Sequence, residues 1–197
     1  MRVTSRFFWR GNDLGLDLLN TEAVDGHGSP LDLMPDVEAL LDWAEEAGIL
    51  SGADAEACRN LPRHPGRSLF EWVRRLRSGM RALVDPAGQA APGDEERLAG
   101  VVAEVPVTLT LPPVADPGGT PVAASGPADR LRLALALAAI ETIGLDRSRI
   151  RRCEGAGCVL LYYDTSRNGS RRWCDMGACG NRAKAAAHYR RSRAVER

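Results

Sequence analysis

Four of the five cysteines lie in the last quarter of the chain, as Cys153, Cys158, Cys174 and Cys179, two pairs with four residues inside each and fifteen between them. Each pair can turn back on itself and present two sulfurs to one ion, and the intervening segment is long enough for a hairpin to bring the pairs together. Zn²⁺ is the natural occupant of such a set, and four thiolates leave no coordination position open for water or substrate. The competing arrangement is two disulfides. The opening MRVTSRFFWR lacks the apolar stretch of a secretory signal, which favours a reducing cytoplasm and therefore metal. Cys58, far away in an Ala-rich segment, reads as a small buried apolar residue rather than a fifth ligand.

Charge separates the chain in the same way. Residues 1–146 carry 13 Arg against 22 Asp and Glu, a formal −9, whereas residues 147–197 carry 13 Arg and Lys against Glu154, Asp164, Asp175 and Glu196, a formal +9. Four zinc-bound thiolates subtract about two units, leaving the C-terminal module basic by about seven. A basic module on an acidic body points to a polyanionic partner, with nucleic acid first; the alternative is that the two halves dock on each other. Arg outnumbers Lys 25 to one in the whole chain, so Arg enrichment by itself carries no argument for phosphate binding.

The elements that must position these groups follow from periodicity. A chain of 197 residues holds one good core plus a small appendage. In the first part, Pro35 and Asp36 open a helix with Val37, Leu40, Leu41, Ala44 and Ala47 on one face, closed by Gly48. Ser68 is expected to cap a second helix, with Leu69, Trp72, Val73, Leu76 and Met80 on one face. Shorter helices are expected over Ala53 to Arg59 and Asp94 to Val102, and strands over Val105 to Leu111 and near Val122. Pro127 starts the helix that leads into the cysteine module. No stretch spans a bilayer: the most apolar run, Leu131 to Ile143, is too short and contains Arg132 and Glu141.

In the cysteine module, Ile150–Arg152 and Val159–Tyr163 are expected to form a hairpin whose turn holds the first two sulfurs, with Gly155 and Gly157 supplying the tight backbone. Trp173 either shields the metal or stacks on a base. From Cys179 onward, CGNRAKAAAHYRRSR is rich in helix formers; Arg182, Tyr189 and Arg193 share one face, and Lys184, His188 and Arg191 another. About fifty residues with so few large apolar side chains need the metal for on the order of 10 kcal/mol of folding free energy. The candidate nucleic-acid contacts are Arg167, Arg171, Arg172, Arg182, Lys184, Arg190 and Arg191. Near the N-terminus, FFWRGNDLGLDLLNT has no clean period. Its polar members Asp17, Asn20 and Thr21 either line a ligand pocket or cap a helix and tie down the loop containing His27. There is no Gly-rich phosphate loop and no hydrolase or metalloprotease motif, and His27, His64 and His188 are isolated in sequence, so no catalytic residue is assigned and the chain is not expected to be an enzyme.

The run C-EGAG-C, then YYDTSRNGSRRWC, then DMGA-CGNRAK resembles the CGNR zinc finger, named for the tetrapeptide at Cys179, Gly180, Asn181 and Arg182. In that family the finger follows an N-terminal domain called ABATE, to whose opening FFWRGNDLGLDLLNTE is similar, as is LDLMPDVEALLDWAEEAGIL to its helix around Trp43. The resemblance is strong from Arg151 to Arg191 and looser before. It implies zinc on the four cysteines and a stress-induced bacterial transcription regulator. Asp164, Ser166, Arg167, Asn168, Arg171, Arg172, Trp173, Asn181, Arg182 and Lys184 match the finger's polar motif. Where the family commonly has Phe after Leu161, this chain has Tyr162 and Tyr163.

The resulting expectation is an α+β chain: a mainly helical N-terminal domain with a small β-hairpin over 1–146, and a zinc module of hairpin and helix over 147–197. It would act as a cytoplasmic DNA-binding regulator, with no membrane partner. The N-terminal domain is expected to sense an effector of unspecified nature, to form a homodimer, or both. RNA or ribosome binding is the second reading, and a protein adaptor using the finger the third.

Overall fold

The computed structural model describes residues 5–25, 27–109, 122–123 and 126–195, and the chain folds as two compact units. One unit comprises Met34–Leu83 and Ala90–Ile143; the other draws together Met1–Leu33, Val84–Gln89 and Gly144–Arg197. The unit that contains the four cysteines therefore also contains the start of the chain.

In the helical unit, α2 (Val37–Glu46) begins where the Asp36 carboxylate accepts from Ala39 N at 2.9 Å, and it stops before Gly48, whose φ of 73° is the left-handed conformation that glycine adopts without penalty. Its Leu40, Leu41, Trp43 and Ala44 are buried. Ser51 caps α3 (Gly52–Arg59), and Arg59 gathers Glu38, Asp42 and Glu45 from α2 at 2.8–3.2 Å. The long α4 (Arg63–Val84) buries Leu69, Trp72, Val73, Leu76 and Met80 as one stripe. It begins five residues before Ser68, which corrects the expected cap. Pro65 falls in the first turn, where a missing N–H costs no intrahelical bond, so the helix runs back to Arg63. Trp72 Nε1 donates to Val101 O at 2.8 Å and ties α4 to α5 (Asp94–Ala103). A Cβ on Gly79 would come 3.1 Å from Leu98, so the two helices pass close together at that glycine. Strands β3 (Thr108–Leu109) and β4 (Val122–Ala123) pair antiparallel. The expected strand from Val105 is thus shorter at its start, where Pro106 has no N–H to give, and its last two positions lie outside the described residues. The unit closes with α6 (Pro127–Ile143), which buries Leu131, Leu135, Ala136, Ala138 and Ala139 and is joined to α3 by an Arg130–Asp54 ion pair.

The cysteine unit starts with α1 (Leu14–Leu19), capped by Asp13 through Leu16 N at 2.9 Å. Strands β1 (Glu22–Val24) and β2 (Pro30–Asp32) pair antiparallel with Ala23 opposite Leu31. A 3-10 turn over Arg147–Arg149 leads into β5 (Ile150–Arg152), which pairs with β6 (Leu161–Tyr163) in the expected hairpin, Ile150 opposite Tyr163. A π-helical turn, Met176–Gly180, feeds α7 (Asn181–Val195). The architecture is the α+β class read from sequence: helices dominate, sheets are small hairpins, and the cysteines sit on a hairpin followed by a helix. Among the described residues no helix is long and apolar enough to cross a membrane.

Candidate metal centre and nucleic-acid interface

The β5–β6 turn carries Cys153 and Cys158, and the entry to α7 carries Cys174 and Cys179. Folding brings all four sulfurs within 4.8 Å of one another. Cys174 Sγ lies 3.8 Å from both Cys158 Sγ and Cys179 Sγ. A tetrahedral ion with Zn–S bonds of about 2.3 Å sets sulfurs about 3.8 Å apart, whereas a disulfide needs about 2.05 Å. The thiols are free, so the donor set fits a four-thiolate metal site and not two disulfides. The hydrogen bond with Cys174 draws the Cys158 thiol down to about 5, while the same bond, with burial, pushes the Cys174 thiol up. Sulfurs this close cannot all ionise against one another, and a divalent cation is what lets them.

The backbone is shaped to the cluster. Gly155 N and Cys174 N donate to Cys153 Sγ at 3.4 and 3.3 Å. A Cβ on Gly155 would come 2.9 Å from both Cys179 Sγ and its Cβ, so only glycine fits that turn. Ala23, Leu160 and Tyr162 pack around the sulfurs with Trp173 against them. Burial pushes the Tyr162 phenol up to about 12, and its hydroxyl donates to Arg171 O at 2.7 Å.

Asp164 fastens the loop between β6 and Cys174. It is fully buried and accepts from Ser166 N at 2.9 Å, Ser166 Oγ at 2.6 Å and Arg171 N at 2.9 Å. Burial pushes this carboxyl up, but the Ser166 and Arg171 bonds more than offset it and hold it below its ordinary value. A depressed native pKa gives stability that is complete above the unfolded value of about 4 and is lost as pH falls through the native one. Asp164→Ala leaves these donors without their acceptor and is expected to destabilise the zinc-loaded protein by about 3 kcal/mol, read by denaturant unfolding at neutral pH; a loss below about 0.5 kcal/mol would contradict this role.

Seven cations were singled out by sequence, and the structure uses them differently. Arg171 is an internal strut: its guanidinium stacks 4.1 Å over the Tyr162 ring and donates to Trp173 O at 2.9 Å and to Cys174 O. A side chain so occupied braces the cysteine loop. Arg172 is exposed but ion-paired, Nη2 lying 2.6 Å from Glu154 Oε2, a partner that charge counting does not reveal. Arg182 Nη2 reaches Cys179 Sγ at 3.1 Å. With Lys184 and Arg190, Arg172 and Arg182 line a 650 Å³ groove beside α7, together with Ala183, Ala186, Ala187, Trp173 and the Arg172 partner Glu154. The groove lies between the two helix faces read from sequence. Arg167 and Arg191 are exposed outside its lining.

Residues 149–192 match the family model of the CGNR zinc finger, and residues 12–145 match that of ABATE, described as a "putative stress-induced transcription regulator". The chain belongs to the ABATE family. No curated protein matches it. The finger match spans all four cysteines of this ABATE-family chain and the α7 groove, and the ABATE match begins at Asn12, within the compact unit that holds the cysteines.

In the ABATE-family chain, Asp17, Asn20 and Thr21 have structural partners. Asp17 Oδ1 accepts from Arg10 N and Gly11 N at 2.9 and 2.7 Å and fixes the approach to α1; burial, the largest influence, raises its pKa. Thr21 Oγ1 donates back to Leu18 O at 2.6 Å. Asn20 is buried and makes a two-way bond with β6: its Nδ2 donates to Leu161 O and its Oδ1 accepts from Leu161 N, both at 2.8 Å. The loop containing His27 is held by Asp25, whose Oδ1 accepts from His27 N and Ser29 N at 2.8 Å.

Proposed function

We propose that this chain is a non-enzymatic, zinc-containing, DNA-binding transcriptional regulator of the cytoplasm, whose CGNR finger over 147–197 holds the polyanion and whose ABATE region over 1–146 receives the signal, by an effector, by dimerisation or both. The observation that carries it is the α7 groove: Arg182, Lys184 and Arg190, with Arg172 paired to Glu154 beside them and small alanines between that let a backbone approach closely, next to a four-thiolate site. Zinc, bound by Cys153, Cys158, Cys174 and Cys179, supplies folding energy to that frame and no reaction centre, since four thiolates close its coordination shell. The family description supports the stress-related role. The charge asymmetry between the halves supports a polyanion.

With Arg172 held by Glu154, three phosphate contacts from Arg182, Lys184 and Arg190 make log K fall with log salt at a slope of about −2.7 on duplex DNA. Lys184→Ala and Arg190→Ala are each expected to lower that slope by about one and to weaken cognate and random duplexes alike, measured by fluorescence anisotropy across a salt series. Affinity that stays flat between low and physiological salt rejects the reading. Tighter salt-dependent binding to RNA than to DNA of the same sequence replaces DNA with RNA as the partner.

A further inference from the structure

A second cavity of 490 Å³ adjoins the α7 groove, and its lining includes Trp9, Arg10, Asn12, Arg172 and Trp173. Trp173 and Arg172 line both spaces. The indoles come from opposite ends of the sequence, yet both are half-buried in the cysteine unit. Trp9 Nε1 donates to Ser5 Oγ at 3.2 Å, which sets the ring's orientation, and Arg172 lies 5.2 Å over the Trp173 ring. Asn12 stands at φ 57°, an uncommon conformation for a residue with a side chain, and its Nδ2 donates to Tyr163 O at 3.1 Å.

The charges decide what fits. Arg10 is paired with Asp175 at 2.9 Å and Arg172 with Glu154 at 2.6 Å, while Arg171, which also lines the cavity, has its guanidinium held by the Tyr162 ring and the carbonyls of Trp173 and Cys174, so each cation here already has a partner. A bare phosphate is better served next door, by Lys184 and Arg190; a flat, neutral, aromatic ring is better served here, in a cavity to which two indoles contribute. We infer that the Trp9–Trp173 cavity takes an unpaired nucleobase of a DNA strand whose phosphates lie in the α7 groove. The inference rests on the reading of that groove as a phosphate site. It adds that an intact duplex, with its bases stacked inside, engages only half of the surface.

The test uses full-length zinc-loaded protein and a labelled oligothymidylate of about twelve nucleotides, a length within the usual single-strand site sizes. It is compared with the same strand carrying abasic residues, with the corresponding duplex, and with thymidine monophosphate. The abasic strand is expected to bind at least about ten-fold more weakly than the intact strand. Trp9→Ala should cost the intact strand a similar factor and Trp9→Phe should restore most of it, with duplex affinity and its salt slope unchanged in both. Strand binding should also quench tryptophan emission, a signal from Trp9 and Trp173 because Trp43 and Trp72 are 0 % and 2 % exposed. Equal affinity for intact and abasic strands overturns the base site while leaving the groove reading standing, provided Lys184→Ala still lowers the duplex slope. Saturable quenching by the mononucleotide with no abasic effect assigns the cavity to free nucleotide and overturns the strand. Failure of every nucleic acid to bind removes both readings together.

Discussion

Cys174→Ser is expected to reduce bound zinc from one equivalent per chain to near zero and to unfold the cysteine unit. Cys174 has sulfur neighbours at 3.8 Å on two sides, and its backbone N–H also donates to Cys153 Sγ, so its loss removes one ligand and disturbs a second. On the order of 10 kcal/mol of folding free energy resides in a site of this kind. The damage should not stop at the finger. Residues Met1–Leu33 share its compact unit, and α1 is bonded to β6 through Asn20, so α1 should lose hydrogen-exchange protection together with β5 and β6. The helices of the other unit carry their own buried stripes on α2, α4 and α6 and should keep theirs. Metal analysis by mass spectrometry, with exchange rates per segment, reads both outcomes. A full equivalent of zinc in the variant, or an α1 that stays protected while the hairpin opens, would sink this account.

The same geometry explains what could be read in the chain beforehand. Asp36 and Pro127 are local signals acting within a turn, and they place α2 and α6, the first by capping an N–H three residues on and the second by fixing φ at the first helical position. The cysteine spacing is equally local: each pair folds within its own turn, and the hairpin of β5 and β6 follows. What stayed hidden depends on partners remote in sequence. A six-residue helix such as α1 is too short to show a period, and its place is set by β6, about 140 residues onward. Counting Arg residues found the basic surface but could not tell Arg171, stacked on Tyr162 inside the loop, from Lys184, exposed in the groove. Nor could it show that Glu154 neutralises Arg172. Trp9 gave no sign at all, since its cavity exists only once the first residues of the chain fold beside Trp173.

Asn20 is where that remote dependence is concentrated, and its replacement tests whether the start of the chain is structurally part of the finger unit. Its carboxamide satisfies both backbone groups of Leu161 in a site that is 1 % exposed, and water cannot readily take over either bond. Asn20→Ala leaves a buried N–H and a buried C=O unpaired, at about 1–3 kcal/mol each, so a loss of about 3–4 kcal/mol is expected. Asn20→Asp keeps the shape and one acceptor but loses the donor and buries a charge against the Leu161 carbonyl. At neutral pH it should be worse than alanine, and on acidification, as the introduced carboxyl gains a proton and can donate again, it should improve relative to alanine. Because β6 follows directly on the loop of Cys153 and Cys158, both variants should also speed zinc transfer to a chelator. Equilibrium unfolding of the metal-loaded forms at neutral and mildly acidic pH, alongside chelator kinetics, makes the comparison. Should Asn20→Ala unfold within about 0.5 kcal/mol of the parent and surrender zinc no faster, the bond to Leu161 would not be what joins α1 to the metal-bearing hairpin, and the spread of unfolding expected for Cys174→Ser would lose its physical basis.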